Sequence, residues 1–240
     1  MILCIIQARM SSSRLPGKNL IPILEDRFVA IPGCFQTHDF NMIDFVIGST
    51  INTGINYTVI ATSTDQSDNV IYKKYNVEKE RDYQGNCYLG VYRGDLNNVL
   101  DRYYQTAMFY REKYNIKHIV RLTSDCPLLY MYNFVIDDVI QYHLENNFLF
   151  TTNRGNFKGY PSGLDVEVMS IDGLKLAYER AETSEEKEHV TKVYYNKLAN
   201  EFNDMVGFWE CDFPFNYKYS IDTMEDLNRV RDIFSFLQLR

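Results

Sequence analysis

Short apolar runs alternate with longer stretches of helical periodicity along most of the chain. The apolar runs, bounded by polar turn residues, predict β-strands at residues 1–6, 57–62, 87–92, 117–122, 148–152, 164–169, 206–211 and 217–221. Stretches with apolar residues every three to four positions predict helices at residues 97–114, 133–146, 184–200 and 223–238. Thr223 followed three residues later by Asp226 is the pattern of an N-terminal cap for the last helix.

This alternation predicts the fold class and the domain organisation. Strands that alternate with helices form βαβ crossovers, so we expect a three-layer, mostly parallel α/β sheet of Rossmann-like type. Ligands of such sheets bind at the carboxyl ends of the strands. No internal repeat or Pro/Gly-rich linker divides the chain, so residues 1–240 are expected to form a single domain. Within it, the glycine-rich segment 151–169 is a candidate lid or acceptor-side arm.

Composition excludes several classes of protein. A chain of 240 residues with 45% hydrophobic residues can bury a substantial core. The net charge of -7 argues against a general nucleic-acid binder, which needs a basic face. The first apolar run is too short for a signal peptide or a membrane span, so no membrane association and a cytoplasmic location are expected. The five cysteines form no CxxC pair, and neither a zinc site nor a disulfide framework is indicated.

The segment IIQARMSSSRLPGK, residues 5–18, places three cations on a serine-rich turn directly after the first strand. It is not a Walker A loop, because that motif needs glycine at position 12 and Ser or Thr at position 19, where this chain has Ser12 and Asn19. Backbone amides, small hydroxyls and the cations Arg9, Arg14 and Lys18 could surround a polyphosphate. The alternative is a solvated connection whose cations pair with surface carboxylates.

Two aspartates end predicted strands at the same edge of the sheet. Asp125 follows the strand at 117–122, and Asp222 follows the strand at 217–221. Two carboxylates at one edge suit Mg²⁺, which takes its remaining ligands from water and substrate phosphates. Each aspartate alone could instead be a helix cap or an Asx turn.

Six motifs in order resemble the cytidylyltransferase family, in particular the spore coat polysaccharide biosynthesis F proteins, which are relatives of the CMP-sialate and CMP-Kdo synthetases. The motifs are RMSSSRLPGK (9–18), NVLDRYY (98–104), RLTSDCPL (121–128), GLDVEV (163–168), EHVT (188–191) and IDTMEDL (221–227). They span nearly the whole chain. Residues 19–48 depart from the family pattern, so the resemblance gives no guidance there to dimer contacts or to the acceptor-side wall.

The resemblance implies a nucleotide-diphospho-sugar transferase fold, CTP as nucleotide donor, Mg²⁺ as cofactor, release of pyrophosphate, and a homodimer. Arg9, Arg14 and Lys18 match the family's triphosphate signature and are the implied catalytic residues. Asp125 and Asp222 match its metal-binding aspartates. The nucleotide-binding residues implied by the likeness are Ala8, Arg9, Ser13, Arg14, Lys18, Thr62, Asp65, Asp101 and Arg102.

The acceptor side is predicted from a strand and a helix. Asp165 and Glu167 alternate with apolar residues, so one face of their strand could meet a sugar hydroxyl, or the strand could simply be half exposed. The resemblance implies that His189 points into the acceptor pocket, although the charged run before it is typical of a solvated helix face. Arg121 completes the candidate acceptor-binding set.

These observations predict a Mg²⁺-dependent enzyme that transfers CMP from CTP to a sugar acid, a sugar phosphate or a similar small acceptor in surface polysaccharide or glycan biosynthesis. Two alternatives stay open. A nucleotide-sugar-dependent glycosyltransferase is expected to carry an Asp-x-Asp metal motif, which is absent around Asp125, where the chain reads Ser124-Asp125-Cys126. A noncatalytic nucleotide-binding paralogue is compatible with the divergent segment 19–48.

Overall fold

Strands and helices alternate in the computed structural model, which describes residues 1–24, 39–77, 81–83, 85–154, 161–210 and 217–238. The strands are β1 (Ile2–Gln7), β2 (Pro22–Leu24), β3 (Phe40–Asn41), β4 (Tyr57–Ser63), β5 (Arg81–Tyr83), β6 (Asn86–Gly94), β7 (His118–Thr123), β8 (Phe150–Thr152), β9 (Glu167–Ser170) and β10 (Val206–Phe208). The α-helices are α1 (Met42–Ser49), α2 (Asn69–Tyr75), α3 (Val99–Tyr114), α4 (Phe134–Asn146), α5 (Ile171–Arg180), α6 (Ser184–Glu188), α7 (Ala199–Glu201) and α8 (Met224–Gln238).

The central sheet has eight strands in the order β10-β8-β9-β7-β1-β4-β6-β5. Strands β7, β1, β4 and β6 pair in parallel, as do β8 and β10. Strand β9 is antiparallel to both of its neighbours, and β5 is antiparallel to β6. Helices cover both faces, so the predicted three-layer, mostly parallel α/β fold is confirmed. Strands β2 and β3 form a separate antiparallel pair.

Strand β1 lies at the centre of the sheet and is apolar on both sides. Cys4 and Ile6 face a core that contains residues of α1, α4 and α8, whereas Leu3 and Ile5 face a core built with α3 and α5. All four side chains are fully buried. This explains the continuous apolar run at the start of the chain, since a strand covered on both faces shows no polar alternation.

The helix predicted over residues 184–200 is wrong as a single element. Helix α6 ends at Glu188, a π-helical turn spans Tyr194–Leu198, and α7 follows. The break is at Val190, whose φ of +46° lies in the left-handed region that a β-branched residue rarely adopts. The amide of Thr191 bonds the carbonyl of His189 across this residue, so the α-helical ladder cannot continue.

The strand predicted at residues 217–221 is also wrong. The amides of Tyr219 and Ser220 both bond the carbonyl of Ser162, and the amide of Ile221 bonds the carbonyl of Asp125. These partners are loop carbonyls rather than a neighbouring strand. The segment therefore carries Asp222 to the sheet edge without joining the sheet.

Helices α1, α2 and α5 were not predicted from the pattern. Every residue of α1 is buried, so its sequence has no polar face to reveal a helical period. Part of the divergent segment, residues 25–38, lies outside the described residues, as does the stretch 155–160 of the candidate lid. Among the helices that the structure describes, none has the length and apolar character needed to cross a bilayer.

Register places three loops together. Gln7 at the end of β1 pairs with Ala61 of β4 and with Thr123 of β7. Because these strands are parallel, the loops that follow them leave from the same edge of the sheet. This is the edge at which α/β folds bind ligands.

A buried histidine pair lies away from that edge. His143 of α4 is fully buried, and its ring contacts His118 through Nε2 at 3.1 Å and the Thr151 hydroxyl through Nδ1 at 2.9 Å. Burial and the neighbouring His118 lower the pKa of His143 to about 3. Burial, the N-terminal ammonium and Lys117 lower the pKa of His118.

This pair predicts loss of stability on acidification. The unfolded chain takes up a proton at His143 below about pH 6.5, whereas the folded chain does not until about pH 3. The free energy of unfolding should therefore fall by about 2 kcal/mol from this residue between pH 7 and pH 5. Urea unfolding of the wild type and of His143→Gln at both pH values measures the contribution. The exposed His189→Gln is the control, and equal pH dependence in the wild type and His143→Gln would contradict the prediction.

Candidate active site

The loop after β1 folds back on itself at Gly17. The Gly17 amide donates to the Met10 carbonyl at 3.0 Å, and the Lys18 amide donates to the Leu15 carbonyl at 3.1 Å. Gly17 has a φ of +73°, a left-handed conformation that glycine adopts without steric cost. The turn begins a short 3-10 helix at Lys18 and directs the lysine side chain into the sheet edge.

The Lys18 ammonium lies between the two predicted metal-binding aspartates. Its Nζ is 2.9 Å from Asp125 Oδ2 and 3.4 Å from Asp222 Oδ1, and it donates to the Ile221 carbonyl at 2.6 Å. The Lys18 side chain is only 11% exposed. An ammonium has three donors, so these contacts satisfy it completely. This one group therefore contacts two residues that lie 107 and 204 positions away from it in the sequence.

Asp222 is surrounded by cations. Arg14 Nη2 lies 2.9 Å from its Oδ1, and Lys218 Nζ lies 2.9 Å from its Oδ2. Burial alone would raise the pKa of Asp222, but the hydrogen bond from Lys218 and the charges of Lys18 and Arg14 outweigh burial and lower it. The carboxylate is therefore ionised at neutral pH and able to hold a cation.

The predicted cap of α8 fixes the position of Asp222. Asp226 Oδ2 accepts the amides of Asp222 and Thr223, each at 3.0 Å, and the Asp226 amide bonds the Thr223 hydroxyl. The cap predicted from the sequence is confirmed. It holds the Asp222 backbone at the start of the helix, where its side chain meets Lys18.

Arg9 and Arg14 line the outer side of the loop. Arg9 Nη2 contacts Glu188 Oε1 at 3.1 Å, and Arg14 is 63% exposed beside Asp222. Both guanidinium groups are thus accessible to solvent at this side of the loop. Ser13 is exposed in the same loop, whereas Ala8 is buried and its amide bonds the Ala61 carbonyl.

Two buried groups on the predicted nucleotide side lack partners in the described part of the chain. These are the Thr62 hydroxyl and the Nε and Nη2 atoms of Arg102, whose Nη1 donates to the Asp95 carbonyl at 2.9 Å. Burial lowers the pKa of Arg102, and the charges of Arg9 and Asp68 also act on it, so it lies near the loop after β1. A buried cation with unused donors is costly unless an anion completes it.

Asp65 and Asp101 have local structural contacts instead. Asp65 accepts the amide and hydroxyl of Ser67, and these bonds lower its pKa. Asp101 accepts from Gln105 Nε2 at 3.1 Å and from the Tyr178 hydroxyl. Neither carboxylate belongs to the group around Lys18.

The predicted acceptor side contains a buried ion pair. Arg121 Nη1 contacts Glu167 Oε2 at 2.5 Å, and Arg121 Nη2 donates to Gln7 Oε1 at 3.2 Å. The hydroxyls of Thr191 and Tyr195 donate to Glu167 Oε1 at 2.8 and 3.1 Å. Burial alone would lower the pKa of Arg121, but Glu167 outweighs burial and raises it. Glu167 is thus fully engaged and does not present a free polar face.

Asp165 and His189 have different surroundings. Strand β9 begins only at Glu167, so Asp165 lies in the preceding loop and accepts the Gly163 amide at 3.2 Å. Burial raises the pKa of Asp165, Arg154 lowers it, and the nearby charges of Glu167 and Asp125 raise it further. His189 is exposed at the end of α6, and its carbonyl rather than its ring takes part in the local hydrogen bonding.

Comparison with known proteins identifies the family. The model of the cytidylyltransferase family matches residues 3–33 and 38–239. The chain belongs to the cytidylyltransferase family. It is therefore a nucleotidyltransferase, and the resemblance seen in its motifs is confirmed.

Relatives of this cytidylyltransferase include the spore coat polysaccharide biosynthesis protein SpsF of Bacillus subtilis, which is 30% identical over 97% of the chain and 86% of SpsF. A cytidylyltransferase structure from Leptospira borgpetersenii superposes with a TM-score of 0.72 at 25% identity, covering 98% of this chain and 87% of the other. A CMP:2-keto-3-deoxy-manno-octonic acid synthetase solved with CTP shares the fold, with a TM-score of 0.63 at 15% identity, covering 98% and 99% of the two chains.

Asp68 is a residue of this cytidylyltransferase that no sequence pattern singles out. It is fully buried and accepts the Met10 amide at 2.6 Å, the Ser63 amide at 3.1 Å and the Ser63 hydroxyl at 2.5 Å. Asn19 has a similar bridging role, since it donates to the Arg9 carbonyl at 2.7 Å and accepts from the Ser124 hydroxyl at 2.8 Å. Polar residues in turns give no sequence signal that they are buried.

Gly163 allows two loops of the cytidylyltransferase to meet. Its φ is +105°, and a Cβ at this position would lie 2.2 Å from the Ser220 amide nitrogen. That close approach brings the segment before β9 against the segment that leads to Asp222. Only glycine fits both the conformation and the contact.

We expect Gly163→Ala to destabilise the enzyme by at least about 2 kcal/mol and to displace Asp222, because backbone atoms cannot yield to the new methyl group. Gly85→Ala is the matched control, since Gly85 also has a positive φ, of +89°, but no atom of the described residues within 4 Å of the added Cβ. Denaturant unfolding of both variants makes the comparison. Equal losses of stability would show that backbone conformation alone, and not the contact with Ser220, explains the glycine.

Proposed function

We propose that this cytidylyltransferase transfers CMP from CTP to an oxygen of a small acceptor, with Mg²⁺ as cofactor and release of pyrophosphate. One observation carries the proposal: the serine-rich loop with Arg9, Arg14 and Lys18 lies directly beside Asp125 and Asp222 at the carboxyl edge of the sheet. Cations for a triphosphate and carboxylates for a metal are the two parts that phosphoryl transfer requires. Similarity to the spore coat polysaccharide biosynthesis protein SpsF supports a role of this reaction in surface polysaccharide or glycan biosynthesis.

In the proposed reaction the acceptor oxygen attacks the α-phosphorus of CTP. A bond forms between them, and the bond from the α-phosphorus to the oxygen that bridges it to the β-phosphorus breaks, so the bridging oxygen leaves with pyrophosphate. A hydroxyl acceptor releases its proton to solvent. Arg14 and Lys18 would neutralise the β- and γ-phosphates as charge collects on the leaving group, and Arg9 would hold the α-phosphate. Catalysis of this kind is mainly positioning and charge stabilisation.

The residues present fit a magnesium site. Asp125 and Asp222 already converge on one cation, the Lys18 ammonium, and no third His, Cys, Asp or Glu joins them within the described residues. Two protein carboxylates with phosphate and water as further ligands are the arrangement that Mg²⁺ favours. When bound, Mg²⁺ would neutralise phosphate oxygens at this edge.

The remaining candidate residues belong either to the nucleotide side or to the acceptor side of the proposed site. The unpartnered Thr62 hydroxyl and the unused Nε and Nη2 donors of Arg102 support a polar ligand near the loop after β1. The amide of Ser13 and the backbone at Ala8 would shape the loop, Asp65 would act through the turn that it caps, and Asp101 would act through its contacts with Gln105 and Tyr178. On the acceptor side, Arg121 and Glu167 would form a rigid wall, with Asp165 and His189 at its rim facing the small molecule.

We expect CTP with Mg²⁺ to raise the melting temperature, because a ligand at one hundred times its dissociation constant adds about 2.7 kcal/mol to the free energy of unfolding. UTP, GTP and ATP should add less. Asp125→Asn should lose most of the magnesium-dependent part, while Asp172→Asn, at the opposite edge of the sheet, should keep it. If no triphosphate stabilises the protein, the assignment of CTP as the donor is wrong.

We expect Lys18→Ala to lower the rate of acceptor-dependent pyrophosphate release about a hundred- to thousandfold, as does loss of a charge-stabilising donor in comparable sites. Lys175→Ala removes an exposed lysine, 54% accessible, and should leave the rate within about twofold. The assay uses candidate sugar acids and sugar phosphates in turn. A Lys18→Ala enzyme within threefold of the wild type would remove Lys18 from the proposed mechanism.

A further inference from the structure

The Lys18 ammonium is needed for the proposed phosphate binding, but it lies in the proposed metal site. As a phosphate ligand, its ammonium must face the nucleotide. In the structure all three of its donors are engaged elsewhere, by Asp125 at 2.9 Å, Asp222 at 3.4 Å and the Ile221 carbonyl at 2.6 Å. Lys18 cannot gain a phosphate partner without releasing at least one of these.

The position of the Lys18 ammonium also affects metal binding. Asp125 and Asp222 are the carboxylates that fit Mg²⁺, and a positive charge already lies between them. A divalent cation at this position would be in contact distance of the ammonium, and like charges in a partly desolvated site repel strongly. While Lys18 remains in place, the two aspartates are a poor site for a free metal ion.

We propose that Lys18 is the resident cation of the metal site, and that it excludes divalent ions until nucleotide phosphates draw its side chain away. The inference rests on the proposed function for the identity of the phosphates, but its first test does not need a nucleotide. It follows that metal and nucleotide bind with positive coupling: each alone binds weakly, and each raises the affinity for the other by the same factor.

The local structure allows this exchange through side-chain rotation alone. The Lys18 backbone is fixed by the bonds of Gly17 to Met10 and of Lys18 to Leu15, so the turn itself need not move. Asp222 keeps Lys218 as a partner after Lys18 departs. Asp125 has no second cation partner among the described residues, so it is the carboxylate that the metal must satisfy.

The test measures Mn²⁺ binding to nucleotide-free protein by electron paramagnetic resonance. Lys18→Met should bind Mn²⁺ at least about tenfold more tightly than the wild type, because the competing cation is gone while both carboxylates remain. Lys218→Met is the matched control, since it removes a cation 2.9 Å from the same Asp222 but does not vacate the space between the carboxylates. It should change Mn²⁺ affinity by less than about threefold. Lys18→Met/Asp125→Asn should lose the gain.

Equal Mn²⁺ affinity in the wild type and Lys18→Met would overturn the proposal. An equal gain of affinity in Lys218→Met would also overturn it, because the change in net charge alone would then explain the effect. Lys18→Gln repeats the comparison with a polar side chain if the methionine variant folds poorly. A second arm adds a CTP analogue that cannot release pyrophosphate. The analogue should raise Mn²⁺ affinity in the wild type and raise it much less in Lys18→Met. If the analogue has no effect on either protein, the assignment of CTP as donor is wrong. The comparison made without nucleotide still decides the role of Lys18.

Discussion

The contact of one ammonium group with two carboxylates organises the functional edge of this protein. Lys18 follows the first strand, Asp125 follows the strand beside it, and Asp222 precedes the last helix, so a single side chain joins the beginning, middle and end of the chain. A buried charge is tolerable only when its partners are in place. Every element that leads to the three residues is therefore constrained: the tight turn at Gly17, the parallel register of the central strands, and the cap at the start of the last helix.

A second charged group, a buried ion pair, forms the neighbouring wall of the site. Arg121 and Glu167 are buried together, and Gln7, Thr191 and Tyr195 bond them, which leaves Arg121 Nε as the atom of the pair without a partner among the described residues. Such a network has little freedom to rearrange, because removing one member leaves the others buried without partners. The carboxylates of Asp125 and Asp222 are instead partly open and are paired with Lys18, Arg14 and Lys218. The site thus combines a buried wall with a partly open group of charges, which suits the proposed reaction.

The sequence predicted those parts of the structure that follow from local patterns. Apolar runs located the central strands, the Thr223 and Asp226 pair located the last cap, and the strand ends predicted that Lys18, Asp125 and Asp222 would share an edge. It failed where long-range contacts override local preference. Residues 217–221 look like a strand but bond the carbonyls of two loops, and the 184–200 helix breaks at Val190 because the backbone there is held in a left-handed turn. Helix α1 has no polar face, and Asp68 has no pattern that marks it as buried.

The position of Asp68 has a consequence for how this edge of the protein can change. Its one carboxylate holds the loop after β1 through Met10 and the loop after β4 through Ser63. A substitution that reshapes the loop after β4 therefore also moves the loop after β1, so the two loops cannot be altered one at a time.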